Sequence, residues 1–224
     1  MNRLTSGIFE IFLVLLTAAS FNLVMTPPHA AVPKDQLAKQ TLTDKTARQQ
    51  ALLQRVIFVG GVSLLHVATL VASFGSTEGH ATHTIPNMFI VATAICLACA
   101  SLRFWAFATL GQFFDFQLTI QADHKLITEG PYSYVRHPSY TGLFLMYIGI
   151  VMELFSPGHW LRDCGLQSEI GRGVCCLWGL QATVLLSGLW KRLDMEDEIL
   201  RRRFGKDWYE WARRVPSRLI PGIY

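Results

Sequence analysis

Five apolar stretches, at roughly residues 7–25, 52–74, 86–110, 139–156 and 173–190, dominate this 224-residue chain. Each is about 18–25 residues long, enough for a helix rising 1.5 Å per residue to cross a hydrocarbon core. Inside lipid every backbone N–H and C=O must find a partner within the protein, and stretches of this length do so as α-helices. Half of the chain is hydrophobic and only 16% is charged, with too little left between the stretches for a separate soluble domain. The expectation is an all-α integral membrane protein of about five transmembrane helices plus a C-terminal amphipathic helix, in one domain over 1–224.

The placement of charge predicts an orientation. Lys34, Lys39, Lys45, Arg48 and Arg55 follow the first stretch, and Lys125 and Arg136 follow the third. The tail carries Lys191, Arg192, Arg201, Arg202, Arg203, Lys206, Arg213, Arg214 and Arg218, whereas the alternate connections hold only Arg162 and Arg172. With five spans, the positive-inside rule puts the N-terminus outside or in a lumen and the tail in the cytosol. Trp208, Trp211 and Leu219 interleave with the tail's charges, which fits a membrane surface better than nucleic acid. The first stretch follows Arg3 like a signal peptide. It lacks a clear small-residue cleavage site and contains Glu10 and Asn22, so a retained helix is expected. Cys96, Cys99, Cys175 and Cys176 fall inside apolar stretches and read as buried, inert thiols, with Cys164 in an outer loop.

Along the chain, Pro27-Pro28 ends the first stretch, and residues 29–50 suit a short surface helix or a loose connection. His80 and His83 lack a nearby third ligand and read as solvated, so no metal is expected. Residues 111–138 form a long connection: aromatics Phe113, Phe114 and Phe116, an extended piece around His124-Lys125-Leu126-Ile127, then a Gly130-Pro131 turn. Pro138 suits the first turn of the fourth span, leaving N–H groups near Ser139 and Tyr140 free for an anion. Leu193, Leu200, Phe204, Trp208, Trp211 and Val215 recur at helical steps and predict one amphipathic helix after the last span. Arg192 and Glu196 lie one turn apart on it.

No Ser-His-Asp pattern, Walker loop, dinucleotide glycine fingerprint or HExxH motif occurs, so a hydrolase, a nucleotidase or a metalloprotease is poorly supported. What remains is a polar set at membrane edges: Gln117, His124, Tyr132, His137, Tyr140, Arg192 and Glu196. Polar clusters there are costly and mark functional sites. This set suits a zwitterionic ligand with a cationic centre, since aromatic faces attract cations and a carboxylate pairs with an amino group. Each member also has a plainer reading. Arg136 and Arg192 serve equally as positive-inside anchors, Tyr132, Tyr134 and Tyr140 as belt aromatics, His137 as a helix cap, and Glu196 as a solvated partner of Arg192.

The ordered motifs Gly130-Pro131-Tyr132, Arg136-His137-Pro138-Ser139-Tyr140-x-Gly142, Arg192-x-x-x-Glu196-Asp197-Glu198, Phe204-Gly205-x-x-x-Tyr209 and Val215-Pro216 resemble the isoprenylcysteine carboxyl methyltransferase family. These are integral membrane enzymes that methylate the C-terminal prenylcysteine of CaaX-processed proteins. The resemblance covers residues 111–224, which would form the cofactor- and substrate-binding core; residues 1–110 match only as hydrophobic spans. It implies S-adenosyl-L-methionine as cofactor and prenylated CaaX proteins as substrates within membrane lipid. It also implies an endoplasmic reticulum location with the site facing the cytosol. The cofactor pocket would fall on Gln117, His124, Lys125, Leu126, Ile127, Tyr132, His137, Pro138, Ser139, Tyr140 and Glu196. Arg192 would face the substrate carboxylate as the catalytic residue. The acidic run Glu196-Asp197-Glu198 departs from the family's longer glutamate run and leaves the register of the glutamate open.

The implied chemistry needs no general base, because a C-terminal carboxylate is already ionised at neutral pH. Positioning and desolvation would carry the reaction, and proximity alone supplies roughly 7–11 kcal/mol in favourable cases. Two other enzyme readings use similar motifs. One is a membrane methyltransferase for a phospholipid amine or a small thiol; an amine acceptor would favour a carboxylate where Arg192 stands. The other is a sterol-reductase-like NADPH enzyme, which the tail ending Arg218-Leu219-Ile220-Pro221-Gly222-Ile223-Tyr224 also resembles. A non-enzymatic scaffold would leave the polar set without a use. Binding of S-adenosylmethionine, of NADPH or of neither separates the three.

Overall fold

A computed structural model describes residues 3–28, 42–74, 84–114 and 125–224. The described residues contain helices and no strands. Helix α1 spans Arg3–Val24, and α2 (Leu42–Arg55) runs through a π-helical stretch, Val56–Ser63, into α3 (Leu64–Phe74). Then follow α4 (Asn87–Leu110), α5 (Pro138–Leu154), the single turn α6 (Trp160–Asp163), α7 (Glu169–Phe204) and α8 (Lys206–Arg214). The π-helical stretch coincides with Gly60-Gly61 among β-branched Val56, Ile57, Val59 and Val62, which weakens the ordinary helical hydrogen-bond ladder.

Among the described residues, four helical runs are long and apolar enough to cross a membrane: Leu4–Val24, Thr46–Ala72, Asn87–Phe113 and Glu169–Phe204. The fourth expected span, α5, has 17 residues. At 1.5 Å per residue that is about 25 Å, short of a hydrocarbon core of about 30 Å. Its first six residues, Pro138 to Leu143, are all buried in protein. The protein is thus a multi-pass, all-α membrane protein with one short, enclosed helix.

Two polar residues inside the first apolar stretch find partners on the helix run that follows it. Glu10 meets His66, Oε1 to Nε2, at 3.1 Å, and Asn22 Oδ1 accepts from Arg55 Nε at 2.8 Å. Helix α1 packs against α4 and sends Phe21 and Val24 into a core shared with Phe58, Met146, Tyr147, Ile150 and Trp178. Cys96 and Cys99 are buried there as expected, but Cys175 is only half-buried and Cys176 points outward from α7. His80 and His83 lie outside the described residues.

The helix after the last span differs from expectation. Helix α7 continues past residue 190 to Phe204 as one rod of 36 residues, so Leu193, Arg192, Glu196 and Leu200 belong to it. Gly205 then takes φ +50°, ψ −114°, a backbone region for glycine rather than for side-chain-bearing residues, and separates α8. The expected amphipathic helix is therefore two elements. Trp211 of α8 turns back to donate from Nε1 to the Tyr132 carbonyl at 3.1 Å.

Helices α4 and α5 pack at backbone contact. A Cβ on Gly142 would lie 2.9 Å from the Cys99 carbonyl oxygen. Gly142→Val should therefore destabilise the protein by about 1–3 kcal/mol, as overpacking does. Thermal unfolding in detergent would register this as a lowered midpoint; an unchanged midpoint would show that the α4–α5 contact yields.

Candidate functional site

The site is built at one end of the bundle, where α4 stops, α5 starts and the C-terminal third of α7 passes. Gly130–Ser133 form a 3₁₀ turn that buries Pro131 and Tyr132. After it the chain leaves the helical turn from Val135 to His137, and Pro138 opens α5. This strip is held from outside by the tail: Arg136 N–H donates to the Ser217 carbonyl (3.0 Å) and His137 N–H to the Arg218 carbonyl (2.9 Å). Thr141 Oγ1 adds a bond to the Leu219 carbonyl at 2.7 Å.

Helix α7 brings the carboxylates. Glu196 Oε1 accepts from Arg192 Nε (2.7 Å) and from the Tyr140 hydroxyl (2.5 Å), while Oε2 lies 3.3 Å from His137 Nδ1. Asp197 Oδ1 lies 3.2 Å from His137 Nε2, and Oδ2 meets Arg136 Nη2 at 3.1 Å and Arg218 Nε at 3.2 Å. Arg218 also reaches Asp194 Oδ1 at 2.6 Å. Glu198 points outward and pairs with Arg201 and Arg202. Of the acidic run, then, Glu196 and Asp197 face the site, and Glu196 is the carboxylate that meets both Arg192 and Tyr140.

His137 is buried with a carboxylate oxygen at each ring nitrogen. An ionised carboxylate only accepts hydrogen bonds, so both nitrogens donate and the ring is an imidazolium. Burial pulls its pKa down, but the bonds to Asp197 and Glu196 outweigh burial and raise it above the ordinary histidine value. Its ring stacks on Tyr140 at 5.7 Å between centroids. Burial, and then the charge of Glu196, push the Tyr132 hydroxyl well above its usual range, against a smaller opposing effect of Arg103, so Tyr132 stays a neutral phenol.

The sequence-predicted residues divide. Tyr132, His137, Tyr140, Arg192 and Glu196 converge. Pro138 is buried at the first turn of α5. The Ser139 carbonyl and hydroxyl accept from Arg103 Nη1 at 2.9 and 2.6 Å. The Tyr140 N–H donates to the His137 carbonyl at 3.0 Å, so it is not the free anion donor expected of it. His137 occupies the cap position of α5, but its side chain goes to the carboxylates instead of capping. Leu126 and Ile127 pack, half-buried, against the cluster of Tyr132, Trp211 and Val215, and Lys125 is exposed. Tyr134 is 65% exposed and stands apart. Gln117 and His124 lie outside the described residues.

Sequence reasoning missed three residues. Asp197 was passed over as part of an acidic run. Arg136 is no simple anchor: beyond Asp197 it donates to the Val215 and Pro216 carbonyls at 3.1 and 2.9 Å and lies over Trp208. Arg103, 4% exposed in the middle of an apolar helix, ties Ser139 to the Val24 carbonyl. Its signal was available, since a charge inside an apolar stretch marks a site.

Fold and site together define a multi-pass helical membrane protein with a partly buried ionic cluster at one end. Residues 91–160 match the model of the isoprenylcysteine carboxyl methyltransferase (ICMT) family. The chain is 33% identical over 118 residues to protein-S-isoprenylcysteine O-methyltransferase B of Arabidopsis thaliana, covering 52% of this chain and 51% of that protein. It is 31% identical over 134 residues to the protein-S-isoprenylcysteine O-methyltransferase of Dictyostelium discoideum, covering 58% and 48%. A Delta(14)-sterol reductase of Gibberella zeae is 29% identical over 115 residues, covering 45% of this chain and 24% of the reductase. The chain is thus similar to proteins of the isoprenylcysteine carboxyl methyltransferase family, and the match spans about half the length of the methyltransferases it matches. The family match ends at Trp160, so the Arg192–Glu198 segment lies beyond it.

A raised histidine pKa stabilises the folded state fully below the unfolded value of about 6.5, and the gain is lost as pH rises through the folded value. The melting advantage of the ligand-free wild type over His137→Gln should therefore shrink with rising pH. A constant difference between pH 6 and pH 9 would mean that the imidazolium contributes nothing.

Proposed function

We propose that this protein methylates the C-terminal carboxylate of prenylated cysteine in CaaX-processed proteins, with S-adenosyl-L-methionine as methyl donor, at a membrane of the endoplasmic reticulum and with the site facing the cytosol. The observation that carries this reading is the Arg192–Glu196–Tyr140–His137 cluster beside the family-matched segment. The names of the methyltransferase relatives support the reaction class and the substrate class.

The donor set fits the proposed cofactor. Glu196 offers a carboxylate to an ammonium group, and Tyr132 and Tyr140 offer aromatic faces to a sulfonium, while both N–H groups of His137 are already given to Glu196 and Asp197. When bound, the cofactor supplies an electrophilic methyl group. The chain's own residues then orient and desolvate. Arg192 holds the acceptor carboxylate without removing its charge, because a guanidinium stays protonated. Tyr132 and Tyr140 remain neutral hydroxyls and make no competing nucleophile. Too firm a grip by Arg192 would stabilise the ground state and slow transfer. The basic tail supports the cytosolic orientation through the positive-inside rule.

A phospholipid amine acceptor is less well served, since Arg192 would repel it. For a nicotinamide cofactor, the likeness to the Gibberella reductase covers only 24% of that protein.

The test is transfer of labelled methyl from S-adenosylmethionine to N-acetyl-S-farnesylcysteine by the purified protein in lipid. Base-labile label on that compound is expected. Cofactor binding without transfer would redirect the search to another acceptor, and absence of binding would overturn the reading. Arg192→Ala should cut kcat by roughly 10- to 100-fold, in line with about 1.5–3 kcal/mol for a hydrogen bond to a charged group, and should spare cofactor binding. Glu196→Ala should weaken cofactor binding instead. Normal turnover in either variant removes that residue from the site.

A further inference from the structure

Asp197 stands outside the cofactor set, yet its two oxygens do separate things. Oδ2 serves the tail, through Arg136 Nη2 (3.1 Å) and Arg218 Nε (3.2 Å). Oδ1 serves the site, through His137 Nε2 (3.2 Å), and on the far side of the same ring Nδ1 faces Glu196 Oε2 at 3.3 Å. The carboxylates of two consecutive residues on α7 therefore grip one buried imidazole from both edges. Asp197 is itself only 5% exposed, so its charge acts in a medium that screens it weakly.

We propose that Asp197 is a positioning residue of the site: it holds His137 with a proton on each ring nitrogen and so keeps the Nδ1–H aimed at Glu196. Glu196 then has three fixed donors, Arg192 Nε, the Tyr140 hydroxyl and His137 Nδ1, which set the direction of its carboxylate. Without the negative charge of Asp197 the surroundings of His137 turn against a second proton. Arg136 sits beside it in sequence, Arg192 and Arg218 reach the same carboxylates, and Arg103 approaches from α4 through Ser139. Tyr132 and Tyr140 contribute neutral hydroxyls. A neutral ring has a single N–H and no charge, so the bond from Nδ1 to Glu196 loses its charge assistance and holds that carboxylate less firmly. The effect on ligand binding rests on the methyltransferase reading; the protonation of His137 does not.

Two measurements separate these. The first is nitrogen-15 NMR of histidine-labelled protein in detergent, with the His137 signal assigned by its loss in His137→Gln. In the wild type His137 should remain doubly protonated well above the ordinary titration point of about 6.5. In Asp197→Asn it should titrate at lower pH. In Arg218→Gln, which cuts a tail contact but leaves both carboxylates on the ring, it should titrate no lower than in the wild type. The second is the pH dependence of S-adenosylmethionine binding and turnover. Asp197→Asn should raise the cofactor KM about 10-fold at pH 8 and far less at pH 6, where His137 is protonated again, with kcat at saturation within about threefold. A variant that had merely lost the tail's packing would lose activity equally at both pH values.

A wild-type His137 that titrates at or below the ordinary value overturns the proposal without any variant, even if Asp197→Asn fails to fold. So does an Asp197→Asn protein with wild-type titration. If the titration shifts as expected while the wild type binds no S-adenosylmethionine, the positioning role of Asp197 stands and the methyl-donor reading falls.

Discussion

Glu196 and Asp197, side by side on α7, are the constraint around which this end of the bundle is arranged. Two neighbouring carboxylates cannot sit ionised in a weakly screening environment unless cations and hydrogen-bond donors are brought to them. Here the donors come from three directions: Arg192 from the same helix, Arg136, His137 and Tyr140 from the start of α5 and the strip before it, and Arg218 from the tail. Losing one partner would strand a buried charge, a larger loss than the pair's net contribution. Segments far apart in sequence are thereby committed to one place, and the tail's backbone bonds to Arg136 and His137 complete the closure.

That closure explains why α5 is short and enclosed. Its first turn must present His137 and Tyr140 to α7 while Ser139 accepts from Arg103 behind them. Pro138 fixes where the helix begins, and Gly142, one turn on, lets the α4 backbone come close enough for Arg103 to reach. Arg103, buried among Phe107 and the ends of α1 and α5, links the apolar core to the ionic cluster.

Much of this was legible beforehand, for identifiable reasons. The spans follow from length and apolarity, because lipid leaves the backbone few alternatives. Arg192 and Glu196 were legible as an i, i+4 pair, and Pro138 as a helix start, because both are local rules. The break at Gly205 was not legible, since the apolar stripe from Leu193 to Val215 keeps helical spacing across it and a glycine's φ is decided by tertiary packing. The role of Asp197 was invisible for a related reason. Its three partners lie 21 to 61 residues away, and no periodicity links them. Arg103 carried a signal, a charge within an apolar run, but its partners Val24 and Ser139 are set by the packing of three helices rather than by any local rule.

The same electrostatics bear on how the site meets a ligand. Arg192 is paired with Glu196, so each of the two groups proposed to hold the cofactor and the acceptor is bonded to the other. An arriving ammonium group can replace Arg192 at Glu196 only if the remaining donors, Tyr140 and His137, keep that carboxylate in place. Exchange of one cation for another at a fixed anion costs far less than creating an unpaired buried charge. A pre-paired site can therefore exchange one cation for another without stranding a charge, provided that the anchor does not move with its partner. The double grip of Glu196 and Asp197 on His137 is what lets Glu196 serve as that anchor.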